Sequence, residues 1–355
     1  MNTRLERLQS RLSDTQAVLI KAPYHLGYLT GFPSEDSFLL VTRDAGYFLT
    51  DFRYIELAQQ RVHGVKCVML KRLTETLTEL TTQHGIDTLY VETGRCTVRF
   101  CEQLRKGLPT LTVADTDEAD RWLSDMRMVK EAGEIAKIEQ AQAIAEEALA
   151  HVLPMICPGV SERDIALELE FYMRKHGAQR AAFDCIVVSG ANSSLPHGIP
   201  TDKPIERGDF VTMDFGAVVD GYLSDMTRTV AVGEVSDDQR LVYETVLRAQ
   251  QEALSVLKAG LPCKDGDAAA RRVIEQAGFH ECFGHATGHG VGVQIHEEPR
   301  LSGGSDQVLQ SGNVVTVEPG IYLQGRFGVR IEDMVVITED GCRNLTHAPK
   351  DLLIV

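Results

Sequence analysis

Gly208-Asp209-Phe210-Val211-Thr212-Met213-Asp214-Phe215-Gly216 recurs as Gly312-Asn313-Val314-Val315-Thr316-Val317-Glu318-Pro319-Gly320. The first, fourth, fifth and ninth residues are identical, and Asp214 and Glu318 occupy the same place in the two copies. Each is the only ionisable group among the apolar residues of its strand. A lone buried carboxylate costs on the order of several kcal/mol unless it is paired, hydrogen-bonded or bound to a cation. Two such acids at matching positions of a duplicated unit predict two halves that close on one shared ion site.

The chain beyond each copy reads as a hairpin. After Asp214 it turns at Asp220-Gly221, a strong signal for a two-residue connection, and returns through Tyr222 to Val230. In that register Asp214 opposes Thr227 and Asp225 opposes Gly216. Opposed residues share a face, as do residues two apart, so both aspartates point the same way. In the second copy, a strand over Val314 to Leu323 and an odd-length loop centred on Gly325 place Glu332 opposite Glu318. Acids crowded on one face repel one another unless a cation lies between them. A salt bridge to Arg228 or Arg330 is the alternative for any one acid alone, but not for the set of four.

Histidines stand close by in the sequence. His285 and His289 lie in Gly284-His285-Ala286-Thr287-Gly288-His289-Gly290-Val291-Gly292, with His296 seven residues beyond His289. The glycines predict a loop entering a strand. His197 sits in the turn Leu195-Pro196-His197-Gly198. His25, His63, His84, His151, His176, His280 and His347 read as structural or solvent-exposed.

Further out, residues 1–122 alternate short apolar runs with helical patterns. Strands are expected at residues 17–20, 37–41, 47–49, 65–70 and 88–91, with helices at 53–61, 73–84 and 98–106. This is an α/β domain with a mixed or mostly parallel sheet. The acidic run Asp115 to Asp120, followed by Trp122, marks the boundary. Residues 123–355 form the second domain. A long helix runs from Lys130 to about Leu153, and a capping box at Ser161 and Asp164 opens another over Glu162 to Lys175. Strands follow to Val232, then helices at 238–258 and 266–277, then strands to the end. The order helix, helix, strands occurs twice.

Bulk properties exclude several classes of partner. A formal net charge of −15 over 355 residues disfavours nucleic acid and anionic membranes, both of which reward Lys and Arg. No apolar run approaches the roughly 20 residues that span a bilayer. The N-terminus MNTRLERLQSRL lacks the apolar centre of a signal peptide, and eight scattered cysteines form no CxxC pair. A reduced cytoplasm is expected. His296-Glu297-Glu298-Pro299 begins like a zinc-protease helix but lacks the second histidine. The glycines around His289 have the wrong spacing for a dinucleotide loop.

The ordered set Asp214, Asp225, His289, Glu318 and Glu332 resembles the ligand signature of the pita-bread metallopeptidases. Aminopeptidase P, prolidase, methionine aminopeptidase and creatinase belong to that group. The resemblance extends over most of the chain. Tyr28-Leu29-Thr30-Gly31-Phe32 and Thr50-Asp51-Phe52-Arg53-Tyr54 look like N-terminal phrases of Xaa-Pro peptidases, and Arg127-Met128-Val129-Lys130 looks like their interdomain junction. It implies a creatinase-like α/β domain followed by an α+β pita-bread catalytic domain with an internal pseudo-twofold repeat.

It also implies two divalent cations. Asp214 would hold one, Asp225 and Glu332 would bridge both, and His289 and Glu318 would complete the second. So oxygen-rich a site favours Mn²⁺, with Co²⁺, Fe²⁺ or Zn²⁺ as alternatives. Glu318 would move the proton of the attacking water. His296 would bind the scissile carbonyl oxygen, His197 and His285 would line the pocket of the leaving residue, and Arg330 would pair with a ligand aspartate or position substrate. Tyr322 would support that shell. His285 and Arg330 match the Xaa-Pro branch, so peptides with proline second are the expected substrates and a homodimer the expected assembly. The alternatives are a methionine-type aminopeptidase and a non-catalytic peptide-binding homologue.

Overall fold

The computed structural model describes residues 3–355, which divide into two compact units, one ending at Arg127 and one beginning at Met128. In the first, helices α1 (Thr3–Gln9), α2 (Pro23–Thr30), α3 (Ile55–Arg61), α4 (Leu73–Gln83), α5 (Val98–Gly107) and α6 (Glu118–Met128) accompany one sheet. Its strands are β1 (Gln16–Ile20), β2 (Phe38–Thr42), β3 (Gly46–Thr50), β4 (Lys66–Met69), β5 (Thr88–Val91) and β6 (Thr112–Ala114), ordered β4-β3-β2-β1-β5-β6. The sheet is mixed: β1 is antiparallel to β2 and parallel to β5. The central runs are apolar at consecutive residues because both faces are covered; Leu19, Leu40, Leu49 and Leu89 pack with Leu77 of α4 and Leu104 of α5.

Besides the short α1, two helices here are not anticipated above. α2 carries apolar residues all round and so shows little amphipathic period. The acidic interval before Trp122 leads into α6, which is tied into the first unit: Asp120 accepts from Thr93 N at 2.8 Å and Thr93 Oγ1 at 2.7 Å, and Tyr28 Oη donates to Met126 O at 2.7 Å.

One buried carboxylate organises the N-terminus of α2. Glu92, fully buried just past β5, accepts from Ala22 N at 2.8 Å, from Lys21 N and from His25 Nδ1. Burial pushes its carboxyl up, but the His25 and backbone donors outweigh that and hold it below its ordinary 4.5. Burial also lowers His25 below its ordinary 6.5. Both groups bind protons less readily native than unfolded, so stability is lost as pH falls, first below 6.5 through His25 and then below 4.5 through Glu92. The only tryptophan, Trp122, lies in this unit against Tyr90. Its fluorescence in urea should show a midpoint that drops on acidification and drops less steeply in Glu92→Gln; a midpoint independent of pH would contradict this.

The second unit repeats a pattern. Helices α7 (Ala132–Val152) and α8 (Glu162–Lys175) precede β7 (Ile186–Ser189), β8 (Phe210–Phe215), β9 (Val218–Val219), β10 (Tyr222–Leu223) and β11 (Met226–Ala231). Helices α9 (Asp237–Val256) and α10 (Cys263–Gln276) then precede β12 (Gly288–Gly290), β13 (Glu297–Leu301), β14 (Val314–Val317), β15 (Gly320–Leu323), β16 (Phe327–Arg330), β17 (Asp333–Ile337) and β18 (Cys342–Asn344). The main sheets run β11-β8-β7 and β13-β12-β14-β17-β18. Ser161 caps α8 as its sequence predicts, its Oγ accepting from Asp164 N at 3.1 Å.

Each half packs its helix pair on one face of its sheet. Val211, Met213 and Phe215 of β8 meet Ala141, Ala145 and Ala148 of α7 and Ile165 and Leu169 of α8. Val315 and Val317 of β14 meet Val246 and Ala249 of α9 and Ala270 and Ile274 of α10. Each large apolar side chain so buried contributes roughly 1.5–3 kcal/mol. Period-2 alternation then sends Thr212 and Asp214, and in the other copy Thr316 and Glu318, to the opposite face. The repeat thus positions the acids by burying what lies between them.

Candidate metal centre

Both hairpins hold the register read from their turns. Val219 pairs with Tyr222 across Asp220-Gly221, whose φ angles of 49° and 81° are those of a primed turn. Asp214 is paired with Thr227. In the second hairpin Leu323 pairs with Phe327 and Gly320 with Arg330 about Gly325, and the same register resumes with Val317 opposite Asp333. Glu318 and Glu332 therefore oppose each other.

The single strand expected over 314–323 is broken, however. Pro319 has no N–H to give the ladder, and Glu318 N donates instead to Thr287 O at 2.8 Å. On the facing strand Glu332 N donates to Thr227 O at 3.1 Å. The break thus joins the second hairpin to the first, exactly where the acids sit on both. Thr229 Oγ1 adds a bond to Arg330 O at 3.0 Å.

Ligand atoms of Asp225, His289 and Glu332 lie within 4.8 Å of one another, and all three residues are buried. His289 Nε2 is 3.3 Å from Glu318 Oε1 and 3.6 Å from Asp225 Oδ2. His289 Nδ1 faces the Gly290 carbonyl at 3.1 Å, which can only accept, so the proton of the neutral ring is there. Nε2 then turns a lone pair toward two carboxylates, acceptors facing an acceptor. Asp214 Oδ1 is buried without a hydrogen-bond partner, and Oδ2 accepts from Arg330 Nη2 at 2.6 Å. Of the four acids only Asp214 has the arginine partner that a structural salt bridge requires; Arg228 is spent on Asp333 Oδ1 at 2.8 Å.

The electrostatics agree with the geometry. Burial and then the charges of Glu332 and Asp214 drive Asp225 far above the usual carboxylate range. Burial followed by Glu318 and Asp214 does the same to Glu332, and burial pushes Glu318 up to about 8. Burial holds His289 down at about 3. Crowded acids reluctant to ionise, a neutral imidazole with an exposed lone pair and an orphaned carboxylate oxygen are what a set of cation ligands becomes without its charge. The donor set fits divalent metal.

The other expected residues surround this group. His296 is exposed and stacks edge-on against His289 with ring centroids 4.3 Å apart. His285 Nε2 meets Tyr322 Oη at 2.9 Å, and Tyr322 Oη accepts from Arg330 Nη1 at 2.9 Å. Burial lowers the basicity of His285, to about 4, and of His296, and the exposed His197 lies close enough to add to both. Several partners escape the sequence reading. Thr227 Oγ1 donates to Glu332 Oε2 at 2.6 Å and accepts from Arg330 Nε at 2.9 Å. Asp267 ties down the loop before His289, accepting from Thr287 N at 3.0 Å and from Arg271. Lys130 forms a buried pair of 2.7 Å with Glu297, next to His296. Only Thr227 carried a signal, since it shares the face of Asp225 two residues away.

Residues 136–339 match the model of metallopeptidase family M24, and residues 4–129 that of the creatinase/prolidase N-terminal domain. An Xaa-Pro dipeptidase of Pyrococcus horikoshii is 38% identical over 95% of this chain and 94% of its own. Among solved structures, an Xaa-Pro dipeptidase from Bacillus anthracis superposes with a TM-score of 0.95 at 40% identity, covering 99% of both chains. An X-Pro aminopeptidase from Thermotoga maritima superposes with a TM-score of 0.92 at 38% identity, covering 100% of this chain and 99% of its own.

Proposed function

The chain belongs to metallopeptidase family M24, and we propose on that premise that it hydrolyses peptide bonds preceding proline, using two divalent cations held by Asp214, Asp225, His289, Glu318 and Glu332. The observation that carries this is the bare His289 Nε2 facing the carboxylates of Asp225 and Glu318. Bound there, the cations would supply the Lewis acidity that makes water nucleophilic near neutral pH and would offset the charge developing on the carbonyl oxygen. Mn²⁺ is the favoured ion because four of the five ligands are carboxylates. Eight free thiols support a reducing compartment such as the cytoplasm. A homodimer is what the family resemblance implies.

The chain's own groups divide the remaining work. Glu318, steadied by Thr316 Oγ1 at 3.2 Å, takes the proton of the attacking water and returns it toward the leaving nitrogen. His296 donates to the carbonyl oxygen as charge grows there. Arg330 holds Asp214 through its hydrogen bond to Oδ2 and, through Tyr322, sets the ring of His285. His285 and His197 line the side of the leaving residue. An Xaa-Pro bond is a tertiary amide with no N–H, so a site that recognises the carbonyl and the ring suits it where a site needing that donor does not.

The test is hydrolysis of Ala-Pro, Ala-Pro-Ala and Met-Ala-Ser by protein stripped with chelator and restored with Mn²⁺. Cleavage of either proline peptide, only with metal, is expected; cleavage of Met-Ala-Ser alone would favour the methionine branch, and no turnover by metal-loaded protein a binding role. His296→Ala should lower kcat by about a hundredfold, the usual cost of one oxyanion donor, with metal content unchanged. Full activity in that variant would remove His296 from the mechanism.

A further inference from the structure

His197 is carried by the loop of residues 189–201, whose internal hydrogen bonds, such as Ser193 Oγ to Gly190 O at 2.6 Å and Gly198 N to Leu195 O at 3.1 Å, shape its turns without joining its two ends. Leu195 and Ile199, on either side of it, are 54% and 81% exposed, so no apolar core fixes residues 189–201. A single carboxylate gathers its two ends instead. Glu162, the first residue of α8 and fully buried, accepts through Oε1 from Ser189 N at 2.6 Å, Ser189 Oγ at 3.0 Å and Asn192 Nδ2 at 3.1 Å. Its Oε2 accepts from Thr201 N at 3.0 Å and Thr201 Oγ1 at 2.7 Å. These donors are neutral, and they come from both ends of the loop.

The loop in turn grips the second hairpin. Gly328 N donates to Ser193 Oγ at 2.9 Å, Gly325 N donates to Ser194 Oγ at 3.2 Å, and Arg330 Nη1 donates to Pro196 O at 3.1 Å. The approach is so close that a Cβ on Gly328 would meet Ser193 O at 2.2 Å. Hydrogen bonds therefore run from Glu162 through the loop to Arg330 and Asp214, with His197 beside Pro196.

We propose that Glu162 is a positioning residue for the reaction: by gathering the two ends of the 189–201 loop it holds His197 against the leaving residue and sets the Pro196 carbonyl that orients Arg330. The assignment rests on the proposed role of His197, but its structural half does not. Glutamine at this position keeps the volume and puts an amide donor where an acceptor is needed, leaving a buried donor unmet.

Two readouts test it. Amide hydrogen exchange should accelerate in Glu162→Gln at Ser189, Thr201 and Gly328 while the β14–β17 ladder keeps its protection. With Ala-Pro, kcat/KM should fall by about tenfold, within the range for residues that orient a site, mainly through KM. The loss in the Glu162→Gln, His197→Ala double variant should be little larger than in His197→Ala alone, because both act on one contact. Native exchange at the three amides, or losses that multiply in the double variant, would overturn the assignment. Should Glu162→Gln not accumulate folded, Thr201→Val removes one donor and must produce smaller changes of the same sign, an unchanged KM and exchange pattern again overturning it. If the wild type does not cleave Ala-Pro, the functional reading fails, while hydrogen exchange still decides whether Glu162 holds the loop.

Discussion

Replacing Asp225 by asparagine is expected to abolish peptide hydrolysis and to strip the protein of metal. Asp225 lies at the meeting point of the two hairpins, buried beside Glu332 and 3.6 Å from His289 Nε2. The substitution is nearly isosteric, so packing survives, but a carboxylate that would hold the cations becomes an amide that binds them weakly. The loss in kcat/KM should exceed by far the roughly 10–100-fold typical of residues that merely orient ligands. Without metal the variant should even be more stable than the wild type to urea, since one of the repelling acids is gone. Wild-type turnover, or full metal content after dialysis, would refute the assignment of Asp225.

Arg330→Met is expected to have the largest effect on the folded metal-free protein. The guanidinium is buried and donates to Asp214 Oδ2 at 2.6 Å, Thr227 Oγ1 at 2.9 Å, Tyr322 Oη at 2.9 Å and Pro196 O at 3.1 Å. Its removal leaves Asp214 without any counter-charge among acids already crowded together. Breaking a buried pair in this way costs about 3–5 kcal/mol. Saturating Mn²⁺ should restore part of the loss, because the cation takes over the charge of Asp214 and binding to the native state adds stability. Arg330→Lys should not rescue it, since one ammonium cannot span four acceptors. Urea unfolding with and without Mn²⁺ measures both effects; a loss below about 1 kcal/mol would show that Arg330 does not sustain Asp214.

What the residues disclose in advance is the part governed by short-range rules. The alternation that buries Val211, Met213 and Phe215 turns Thr212 and Asp214 the other way. The turn at Asp220-Gly221 and the loop about Gly325 set both registers, so the facing of four acids follows from sequence. The break at Glu318-Pro319 is legible only in hindsight, from a proline inside a strand pattern. α2 escapes notice because an all-round apolar helix has no period to detect. Charge density hides α6, where an acidic first turn is a helix start as readily as a linker.

Most contacts that fix the acids are long-range and leave no local trace, and the pairing of Arg330 with Asp214 is expected only from the family resemblance. Arg330 reaches Asp214 across 116 positions, and Glu162 meets Ser189 across 27 and Thr201 across 39. Periodicity places a side chain on a face, but does not say what another element brings to it. The sequence reading therefore found the acids and histidines but not Thr227, Asp267, Lys130 or Glu162, which fix their positions.

Anomalous diffraction from crystals grown with Mn²⁺ tests most directly the claim that both hairpins supply one binuclear site. Two peaks per chain are predicted, both in contact with Asp225 and Glu332, one also touching Asp214 and the other His289 and Glu318. Absence of ions between the hairpins, or ions bound only elsewhere on the chain, would contradict it.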